Sequence, residues 1–316
     1  MRLALAGDVM LGRGVAEWLA AARTPPPFSA EVIEAARSAD LCVANLECCI
    51  AAGGRPAPGR VFHFRAPPAA AGVLAELGVD CVTLANNHAL DYGPDALLET
   101  FDHLRAVGIP WVGAGADRDA ARAPTVLEAG GERLRVLAVS DHPPEYAARA
   151  DRPGVAFADL HRRALPAWLT DAIAAASEPV LVAPHWGPNM TRAPVRHVRR
   201  AAASLRAAGA ALVAGHSAHV PHGAAAGVLF DLGDFVDDYR VDPVLRNDLG
   251  ALWLVDLEHG APVRAEALPL KLDFCHTRLA DGDDAAWIAE RLVSASVDLG
   301  ARAWLDAGRV VIELGG

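Results

Sequence analysis

The chain has 316 residues, of which 53% are hydrophobic and 22% charged, and its formal net charge is −10. Disordered chains combine low hydrophobicity with high net charge, so this composition indicates a folded protein with a sizeable core. The acidic balance argues against a general nucleic-acid binder, because phosphate contacts need clustered Lys and Arg. It leaves room for a small anionic substrate held by a metal ion, because a bound cation dominates its local field.

Cysteine usage and the first residues bear on the compartment. The five cysteines are odd in number and include no CxxC pair, so a reducing compartment fits better than a secreted disulfide framework. The apolar run at Leu3–Ala6 is too short for a membrane span, and no signal-peptide cleavage site follows it. We therefore expect a cytoplasmic protein with no membrane or nucleic-acid partner. The sequence leaves the oligomeric state open.

Short apolar runs alternate with longer segments of helical spacing over the first three quarters of the chain. This alternation, with nearly continuous apolar strands, predicts a mainly parallel sheet covered by helices on both faces. The predicted helices are Pro68–Leu77, Asp95–Val107, Leu160–Ala176 and Pro194–Ala208. The predicted strands are Leu3–Ala6, Leu41–Ala44, Cys81–Leu84, Trp111–Val112, Leu134–Val139, Val180–Ala183, Leu212–Ala214 and Val228–Leu232.

The pattern changes in the last quarter of the chain. Ala251–Leu257 and Pro262–Leu270 flank a turn-like Glu-His-Gly segment and predict an antiparallel hairpin. A helix is expected over Asp281–Val297 and a last strand over Arg309–Leu314. The Pro-rich and Gly-rich stretches are too short to be interdomain linkers, so residues 1–316 are predicted to form a single domain.

Polar residues recur where the predicted strands end. In an open α/β sheet, ligands bind outside the carboxyl ends of the strands, so these side chains are expected to converge on one crevice. Carboxylate and amide oxygens together with imidazole nitrogens suit Mn, Fe or Zn. The sequence therefore predicts a metal site. Its candidate residues are Asp8, Glu47, Asn87, His185, His216 and His219.

Each candidate also has an ordinary structural interpretation. Asp8 could cap a helix, Asn86-Asn87 could form a turn, and His185 could be a hydrogen-bonded core histidine. Three imidazoles between residues 216 and 222 are harder to explain without a ligand. The ordered recurrence of the whole set favours a metal site over separate structural roles.

Several segments together resemble one known family. They follow the family's order from residue 3 to about residue 240, and the Asn-Asn-His-x-x-Asp-x-Gly segment is the most diagnostic. The chain resembles the CapA family, the poly-γ-glutamate capsule biosynthesis proteins. This resemblance implies a calcineurin-like metallophosphatase fold, an αββα sandwich of central β-sheets flanked by helices. The matching segments are Gly7-Asp8-Val-Met-Leu11, Ala44-Asn45-Leu-Glu47, Asn86-Asn87-His88-Ala-Leu-Asp91-Tyr-Gly93, His185-Trp-Gly187, Gly215-His216-Ser-Ala-His219-Val-Pro-His222 and Leu229-Phe-Asp-Leu-Gly-Asp-Phe235.

The resemblance implies a centre of one or two divalent ions. Asp8 would bind the first ion, Glu47 would bridge two ions, and Asn87 and His185 would bind the second. The imidazoles that would complete the set, without assignment to either ion, are His216 and His219.

The resemblance also implies a catalytic pair beside the metal ligands. His88 matches the histidine that acts as general acid or transition-state stabiliser in metallophosphoesterases. Asp91 would hold its tautomer and raise its basicity. Such a centre could polarise a phosphoryl oxygen and activate water near neutral pH.

The chain departs from the superfamily at several positions. Met10 stands where most metallophosphoesterases have a histidine ligand, and two residues rather than one separate His216 from His219. Asp234 stands where the family tends to have Asn, and could be a ligand, a base or a mere substitution. Four residues are assigned to substrate binding: Asn45, Asn86, His222 and Asp234. Pocket-lining roles are considered for His63, His142 and Arg65, with an ordinary solvated edge as the alternative.

Three functions follow as expectations. The first is a metal-dependent hydrolase that acts on a phosphate ester or a peptide-like substrate through metal-activated water. The second is a peptide epimerase that abstracts a proton next to a carbonyl, because the same metal and base residues would serve that chemistry. The third is a non-catalytic accessory protein that binds acidic peptide or poly-γ-glutamate. The substrate would be a small molecule or a peptide in the enzymatic cases.

Overall fold

The computed structural model describes residues 1–315, which form twenty strands, eight α-helices and one short 3-10 helix. The helices are α1 (Arg13–Ala20), α2 (Ala30–Arg37), α3 (Ala70–Leu77), α4 (Gly93–Ala106), α5 (Arg118–Arg122), the 3-10 helix Pro144–Tyr146, α6 (Ala167–Ala174), α7 (Arg196–Ala207) and α8 (Gly282–Asp298). The strands are β1 (Arg2–Val9), β2 (Leu41–Leu46), β3 (Cys49–Ile50), β4 (Arg65–Ala66), β5 (Cys81–Thr83), β6 (Trp111–Val112), β7 (Ala114–Gly115), β8 (Thr125–Ala129), β9 (Glu132–Ser140), β10 (Gly154–Val155), β11 (Val180–His185), β12 (Leu212–Ala214), β13 (Ala224–Ala225), β14 (Val228–Leu229), β15 (Asp234–Val236), β16 (Leu249–Glu258), β17 (Ala261–Asp273), β18 (His276–Leu279), β19 (Ala303–Asp306) and β20 (Arg309–Glu313).

The larger sheet has ten strands, with the main order β19-β20-β17-β16-β1-β2-β5-β6. Strand β15 pairs in parallel with β1, and β18 pairs with β17. One half, β1-β2-β5-β6, is parallel, because helices in the connections return the chain to the same end of the sheet. The other half is antiparallel and includes the long β16–β17 hairpin.

The smaller sheet has six strands in the order β13-β14-β12-β11-β9-β8. Its central strands β14, β12, β11 and β9 are parallel, while the two edge strands pair antiparallel to their neighbours. The parallel strands of each sheet therefore deliver their carboxyl ends to a shared edge.

An apolar layer joins the two sheets face to face. Leu5 of β1 and Trp253 of β16 pack in this layer with Leu181 of β11 and Leu212 of β12. Because side chains alternate along a strand, neighbouring β1 residues such as Ala4 point to the opposite face. That face is covered by α1 to α4, and the outer face of the smaller sheet is covered by α6 and α7. The layers therefore run helix, sheet, sheet, helix.

The structure corrects the expectation of one mainly parallel sheet with helices on both faces. Each predicted apolar run overlaps a strand, but the strands divide between two sheets whose inner faces pack against each other, with α8 also packed on the inner face of the larger sheet. An apolar strand face can be covered by a helix or by another sheet, and periodicity does not distinguish these cases. The αββα arrangement implied by the resemblance is the one observed.

Helix boundaries differ most at α6. The predicted helix over Leu160–Ala176 is shortened to Ala167–Ala174, with Pro166 as its N-cap. Proline disfavours helical backbone in the residue before it, so the segment ahead of Pro166 cannot continue into the helix. The elements that were not predicted are α1, α2, α5, the 3-10 helix and strands β3, β7, β8, β10, β13, β15, β18 and β19.

Candidate metal centre

The predicted ligands lie at the carboxyl ends of strands from both sheets. Asp8 is the next-to-last residue of β1, and Glu47 directly follows β2. His185 ends β11, and a parallel bridge joins it to His216 beyond β12. All four side chains are buried. The larger sheet therefore supplies the carboxylates and the smaller sheet supplies imidazoles.

Asp8 is at the middle of this cluster. Its Oδ1 accepts hydrogen bonds from Asn45 Nδ2 at 2.8 Å and from His216 Nδ1 at 2.9 Å. Its Oδ2 lies 3.6 Å from His219 Nδ1. Burial acts to raise the pKa of Asp8, but the hydrogen bond with His216 and the surrounding imidazoles hold it below its usual range. Asp8 is therefore the ionised carboxylate that a cation needs.

Both His216 and His219 reach Asp8 despite the extra residue between them. Ser217 has a φ of 107° and His219 a φ of 62°, a left-handed region that side chains other than glycine rarely adopt. Such backbone is found where the surroundings impose it, commonly at functional sites. The Ala218 N–H donates to Asp231 Oδ2 at 2.8 Å and holds this turn in place.

Several buried ligand atoms have no hydrogen-bond partner within residues 1–315. Burying a polar group without a partner costs roughly 1–3 kcal/mol, and more when the group is charged. A concentration of such atoms at one point therefore indicates a ligand. The atoms are both carboxylate oxygens of Glu47, Oδ1 of Asn87, both ring nitrogens of His185 and Oδ2 of Asp234.

The spacing of the ligand atoms fits a shared cation. Atoms that lie about 2.1 Å from one ion are about 3.0–3.5 Å from each other. The His185 Nε2 lies 3.6 Å from Glu47 Oε1, and the two atoms form a close group with a carboxylate oxygen of Asp8. A second group joins Asp8, His219 and Asp234. Within each group the atoms are all within 4.8 Å of one another, and Asp8 belongs to both.

Burial and neighbouring charge raise the pKa of Glu47 well above its usual range, with Asp8 as the largest charge contribution. A carboxylate in that position is costly without a cation, because two negative charges would share a buried site. A divalent ion between them removes that cost. The residues present therefore fit one or two divalent metal ions.

Asp234 lies inside the metal-ligand group. Its strand, β15, pairs in register with β1, so that Asp234 faces Asp8. Its Oδ1 lies 2.8 Å from His219 Nδ1, and its Oδ2 points to no partner among the described atoms. Met10 is also buried but offers only a thioether, a soft ligand. The contacts of Asp234 favour metal binding over the substrate binding that we predicted for it.

His88 and Asp91 are in direct contact. His88 Nδ1 donates to Asp91 Oδ2 at 2.6 Å, and Nε2 lies 3.9 Å from Glu47 Oε1. Asp91 also accepts from the Phe64 backbone N–H at 2.8 Å and from the Tyr146 hydroxyl at 3.3 Å. Burial lowers the pKa of His88, although Asp91 acts to raise it. The pair therefore presents an oriented, neutral imidazole beside the metal-ligand cluster.

Asn45 and Asn86 were predicted to bind substrate, but their amides are used internally. The Asn45 amide donates to Asp8, while its Oδ1 accepts from Thr83 Oγ1 at 2.9 Å and from Asn86 Nδ2 at 3.1 Å. Asn86 Oδ1 accepts from the His88 N–H at 3.1 Å. These contacts favour a positioning role for both residues.

Other predicted pocket residues lie outside the metal groups. His222 is buried, with Nε2 2.7 Å from the Thr191 carbonyl oxygen. His63 Nε2 lies 2.7 Å from the Ala57 carbonyl oxygen. The Arg65 guanidinium lies over the Tyr92 ring, 4.7 Å from its centroid. None of the three shares a ligand group with Asp8.

Sequence reasoning missed Arg60, Asp141 and Tyr146. Arg60 donates to the Asn87 carbonyl oxygen at 2.8 Å and lies 3.4 Å from Asp91. Asp141 directly follows β9, so the same strand-end argument would have found it. Arg60 lies in a loop and Tyr146 in the short 3-10 helix, and only the folded structure brings them to Asp91.

Structural comparison supports the fold. A crystal structure of a hypothetical protein from Thermus thermophilus matches 86% of this chain and 100% of its own, with a TM-score of 0.53 and 18% identity. This likeness concerns the fold alone. The observed αββα layers match the arrangement that the resemblance implied. A centre of buried carboxylates and imidazoles lies at the strand ends of that fold.

Sequence comparison then identifies the family. The model of the family described as "Bacterial capsule synthesis protein PGA_cap" matches residues 2–239. The chain belongs to this family, as its CapA-like motifs predicted. "Probable polyglutamine synthesis accessory protein Rv0574c" of Mycobacterium tuberculosis H37Rv is 33% identical over 281 residues, covering 83% of this chain and 74% of that protein. "PGA biosynthesis protein CapA" of Bacillus subtilis is 27% identical over 242 residues, covering 73% and 62%.

The described helices were also compared with the length and hydrophobicity that a membrane span requires. None of those within residues 1–315 is both long enough and apolar enough to span a bilayer.

Proposed function

We propose that this protein is a metal-dependent hydrolase that acts on a phosphate ester or a peptide-like substrate. The observation that carries the proposal is the cluster of unpartnered, buried ligand atoms beside the His88–Asp91 pair. A divalent ion bound there would polarise a phosphoryl or carbonyl oxygen and lower the pKa of a water molecule.

The ligand groups indicate which residues would hold the ions. Asp8, Glu47 and His185 form one group, and Asp8, His219 and Asp234 form the other. The Asn87 amide oxygen and the His216 ring are the remaining candidates. In this arrangement Asp8 is shared, whereas the resemblance implied that Glu47 would bridge.

His88 would move a proton at the reacting group. Its Nδ1–H is held by Asp91, so Nε2 is the atom free to act, and it faces Glu47. An anionic substrate in the centre would raise the pKa of His88 and place a proton on Nε2. That proton could then pass to the leaving group, a contribution of about 10²–10⁴-fold in rate.

Cationic and aromatic groups surround the pair. The Arg13 guanidinium lies 5.2 Å from the centroids of Phe62 and Phe64, and Phe64 packs edge-on against His88. Arg60 lies over the Tyr146 ring beside Asp91. Guanidinium groups bind carboxylates and phosphates well. We therefore propose an anionic substrate, with phosphate esters and acidic peptides as the first candidates.

A second candidate function is an accessory role in poly-γ-glutamate synthesis without catalysis. The name of the mycobacterial relative, which calls that protein an accessory protein, favours it. Met10, which replaces a histidine ligand common in the superfamily, also favours it. The metal centre would then bind acidic polymer rather than cleave it.

The test combines metal analysis with a substrate screen. We expect elemental analysis to find at least one bound Mn, Fe or Zn per chain. The protein is then assayed on a panel of phosphate esters and on γ-linked glutamate peptides, with chiral analysis of the released or retained glutamate to detect epimerisation. We expect His88→Ala to lower hydrolysis by about 10²–10⁴-fold with metal content unchanged.

His103→Ala is the matched control, because His103 pairs with Glu99 on α4 and contacts no metal-group residue. It should retain full activity. Hydrolysis by His88→Ala at the wild-type rate would overturn the catalytic role of His88. A metal-loaded protein that binds acidic peptide but turns over neither substrate class would favour the accessory function.

A further inference from the structure

A third group of ligand atoms lies beside the metal centre. It consists of Asp141, His161 and His197, whose ligand atoms are all within 4.8 Å of one another. The three residues come from separate segments: the end of β9, the loop before α6 and the first turn of α7. No role in the proposed hydrolysis uses them.

The distances within this group are those of ligands around an ion rather than of hydrogen bonds. Asp141 Oδ2 lies 3.5 Å from His197 Nε2 and 3.8 Å from His161 Nε2. Both separations exceed the normal range for N–H···O hydrogen bonds. Two ligand atoms of a tetrahedral zinc ion are about 3.3–3.5 Å apart, so a small contraction would complete the geometry.

The atoms are held in place and have few other partners. The Asp141 side chain is fully buried, and within the described part of the chain its Oδ2 accepts only a 3.3 Å hydrogen bond from the Gly187 N–H. The buried Nε2 of His197 has no hydrogen-bond partner among residues 1–315. The His161 and His197 rings stack with centroids 3.8 Å apart, which brings both Nε2 atoms to the same carboxylate.

The loop that carries His161 is fixed to α7. Arg200 donates to the His161 carbonyl oxygen at 2.6 Å, and also contacts the Leu160 carbonyl oxygen at 3.4 Å. His197 lies one turn before Arg200 on the same helix. These backbone contacts therefore hold the His161 and His197 rings close together. The His161 side chain is 60% exposed, which leaves one side of the group open to solvent.

We propose that Asp141, His161 and His197 form a peripheral zinc site with three protein ligands and one open position. Open fourth positions are typical of zinc sites that also take water or an anionic group. The site adjoins the main centre, because the Asp141 N–H donates to the His185 carbonyl oxygen at 3.1 Å. His142, whose Nδ1 bonds Asp141 and whose ring lies 5.3 Å from that of His185, lies between the two sites.

The test counts zinc equivalents in the full-length protein. The metal-stripped wild type and its variants are titrated with Zn²⁺ by calorimetry, and bound zinc is measured by elemental analysis after desalting. We expect His161→Ala and His197→Ala each to bind one equivalent fewer than the wild type. His103→Ala, the matched surface control, should bind the wild-type number.

Cobalt provides a second readout that is independent of hydrolysis. Co²⁺ bound to the wild type should give visible absorption that decreases in His161→Ala. A variant of the main centre, Asp8→Asn, should retain the band of the peripheral site. Failure of the proposed hydrolysis would leave this difference intact. Equal zinc stoichiometry in His161→Ala and wild type would overturn the peripheral site. Because the His161 side chain is exposed, its replacement should leave the chain folded.

Discussion

At the scale of single residues, Asp234 departs from the CapA pattern at a position where it can compensate for a histidine ligand that most metallophosphoesterases have and this chain lacks. Met10 removes an imidazole from the expected ligand set. Asp234 brings a carboxylate to the same cluster from the strand that pairs with β1. Burial and the charges of Asp237 and Asp8 raise the pKa of Asp234 well above its usual range, which a nearby cation would reverse.

Asp234→Asn is therefore expected to weaken metal binding. The substitution preserves the shape of the side chain but removes its negative charge. We expect the affinity for Mn²⁺ or Zn²⁺ to fall at least tenfold. Losses of about 10–100-fold are typical even for residues that only hydrogen-bond to a metal ligand. A competition titration against a chelating dye measures this. Asp151→Asn, at an exposed loop position, is the control. Unchanged affinity in Asp234→Asn would exclude Asp234 as a ligand.

The convergence of the candidate ligands could be predicted from the sequence, because strand ends meet at one edge of a parallel sheet. Asp8, Glu47 and His185 followed from that rule. The partner of each atom could not be predicted. Asp234 meets His219 only because β15 pairs with β1 in a particular register, and a short strand pattern carries no information about register.

At the scale of elements, the close approach of β1 to the segment before β15 positions Asp8. A Cβ added at Gly7 would lie 1.9 Å from the Gly233 carbonyl oxygen, which is a backbone atom. That same oxygen accepts the Asp8 N–H at 2.9 Å. The absence of a side chain at Gly7 therefore allows these segments to pair, and the pairing brings Asp8 and Asp234 together.

Gly7→Ala is expected to destabilise the protein and loosen the centre. Forcing a methyl group into packed backbone costs about 1–3 kcal/mol or more, and we expect metal affinity to fall with it. Urea unfolding and metal titration of the same samples measure the two effects.

Gly72→Ala is the matched control. A Cβ at Gly72, inside α3, meets nothing within 4 Å, and alanine favours a helix over glycine by about 0.5–1 kcal/mol. It should stabilise the protein slightly. Equal unfolding free energies for Gly7→Ala and wild type would contradict the close-packing argument.

Helix prediction succeeded for a long helix with clear start and stop residues and failed for a short one. Helix α4 has a proline in its first turn and ends just before Gly108, and its prediction was correct to within two residues. Helix α2 has only eight residues, and Ser29 is its N-cap. It directly follows a proline-rich segment that we interpreted as a loop, and the helix was not predicted. Short helices gain their stability from packing rather than from local sequence, which limits prediction from pattern.

At the scale of the whole molecule, the candidate metal centre lies between the two sheets. Glu47 and Asp8 come from one sheet, and His185 and His216 from the other, so ion binding adds contacts across their junction. Anything that binds the folded state alone stabilises it by mass action. The metal-loaded protein should therefore unfold at a higher temperature than the chelator-treated protein.

This stabilisation should increase with pH. Burial raises the pKa of Glu47 and of Asp234, so the metal-free folded state retains protons that the unfolded chain has released. The metal-free protein therefore loses stability as pH rises through those raised values, whereas bound ions keep the carboxylates ionised. Calorimetry at pH 6 and pH 8 should show the larger difference in Tm between loaded and stripped protein at pH 8. A smaller difference at pH 8 would contradict the assignment of these carboxylates as ligands.

Sequence pattern alone did not predict the division into two sheets. The runs Leu41–Ala44 and Val180–Ala183 are equally apolar, yet one strand joins the larger sheet and the other the smaller. Pairing between strands that are far apart in the sequence decides which sheet each strand joins. The resemblance to a known family predicted the two sheets, whereas hydrophobic periodicity did not. The same limit applies to the layer between the sheets, where Trp253 of the larger sheet packs with strands of the smaller sheet that lie far from it along the chain.

The position of β1 has a consequence for biosynthesis. Strand β1 precedes the other described strands along the chain, yet it lies between β2 and β16, and β16 spans Leu249–Glu258. While the ribosome extends the chain, one long edge of β1 stays unpaired until most of the polypeptide has emerged. Exposed edges of apolar strands promote aggregation. The nascent chain should therefore depend on chaperones that shield this edge, and truncations that end before β16 should be recovered as aggregates.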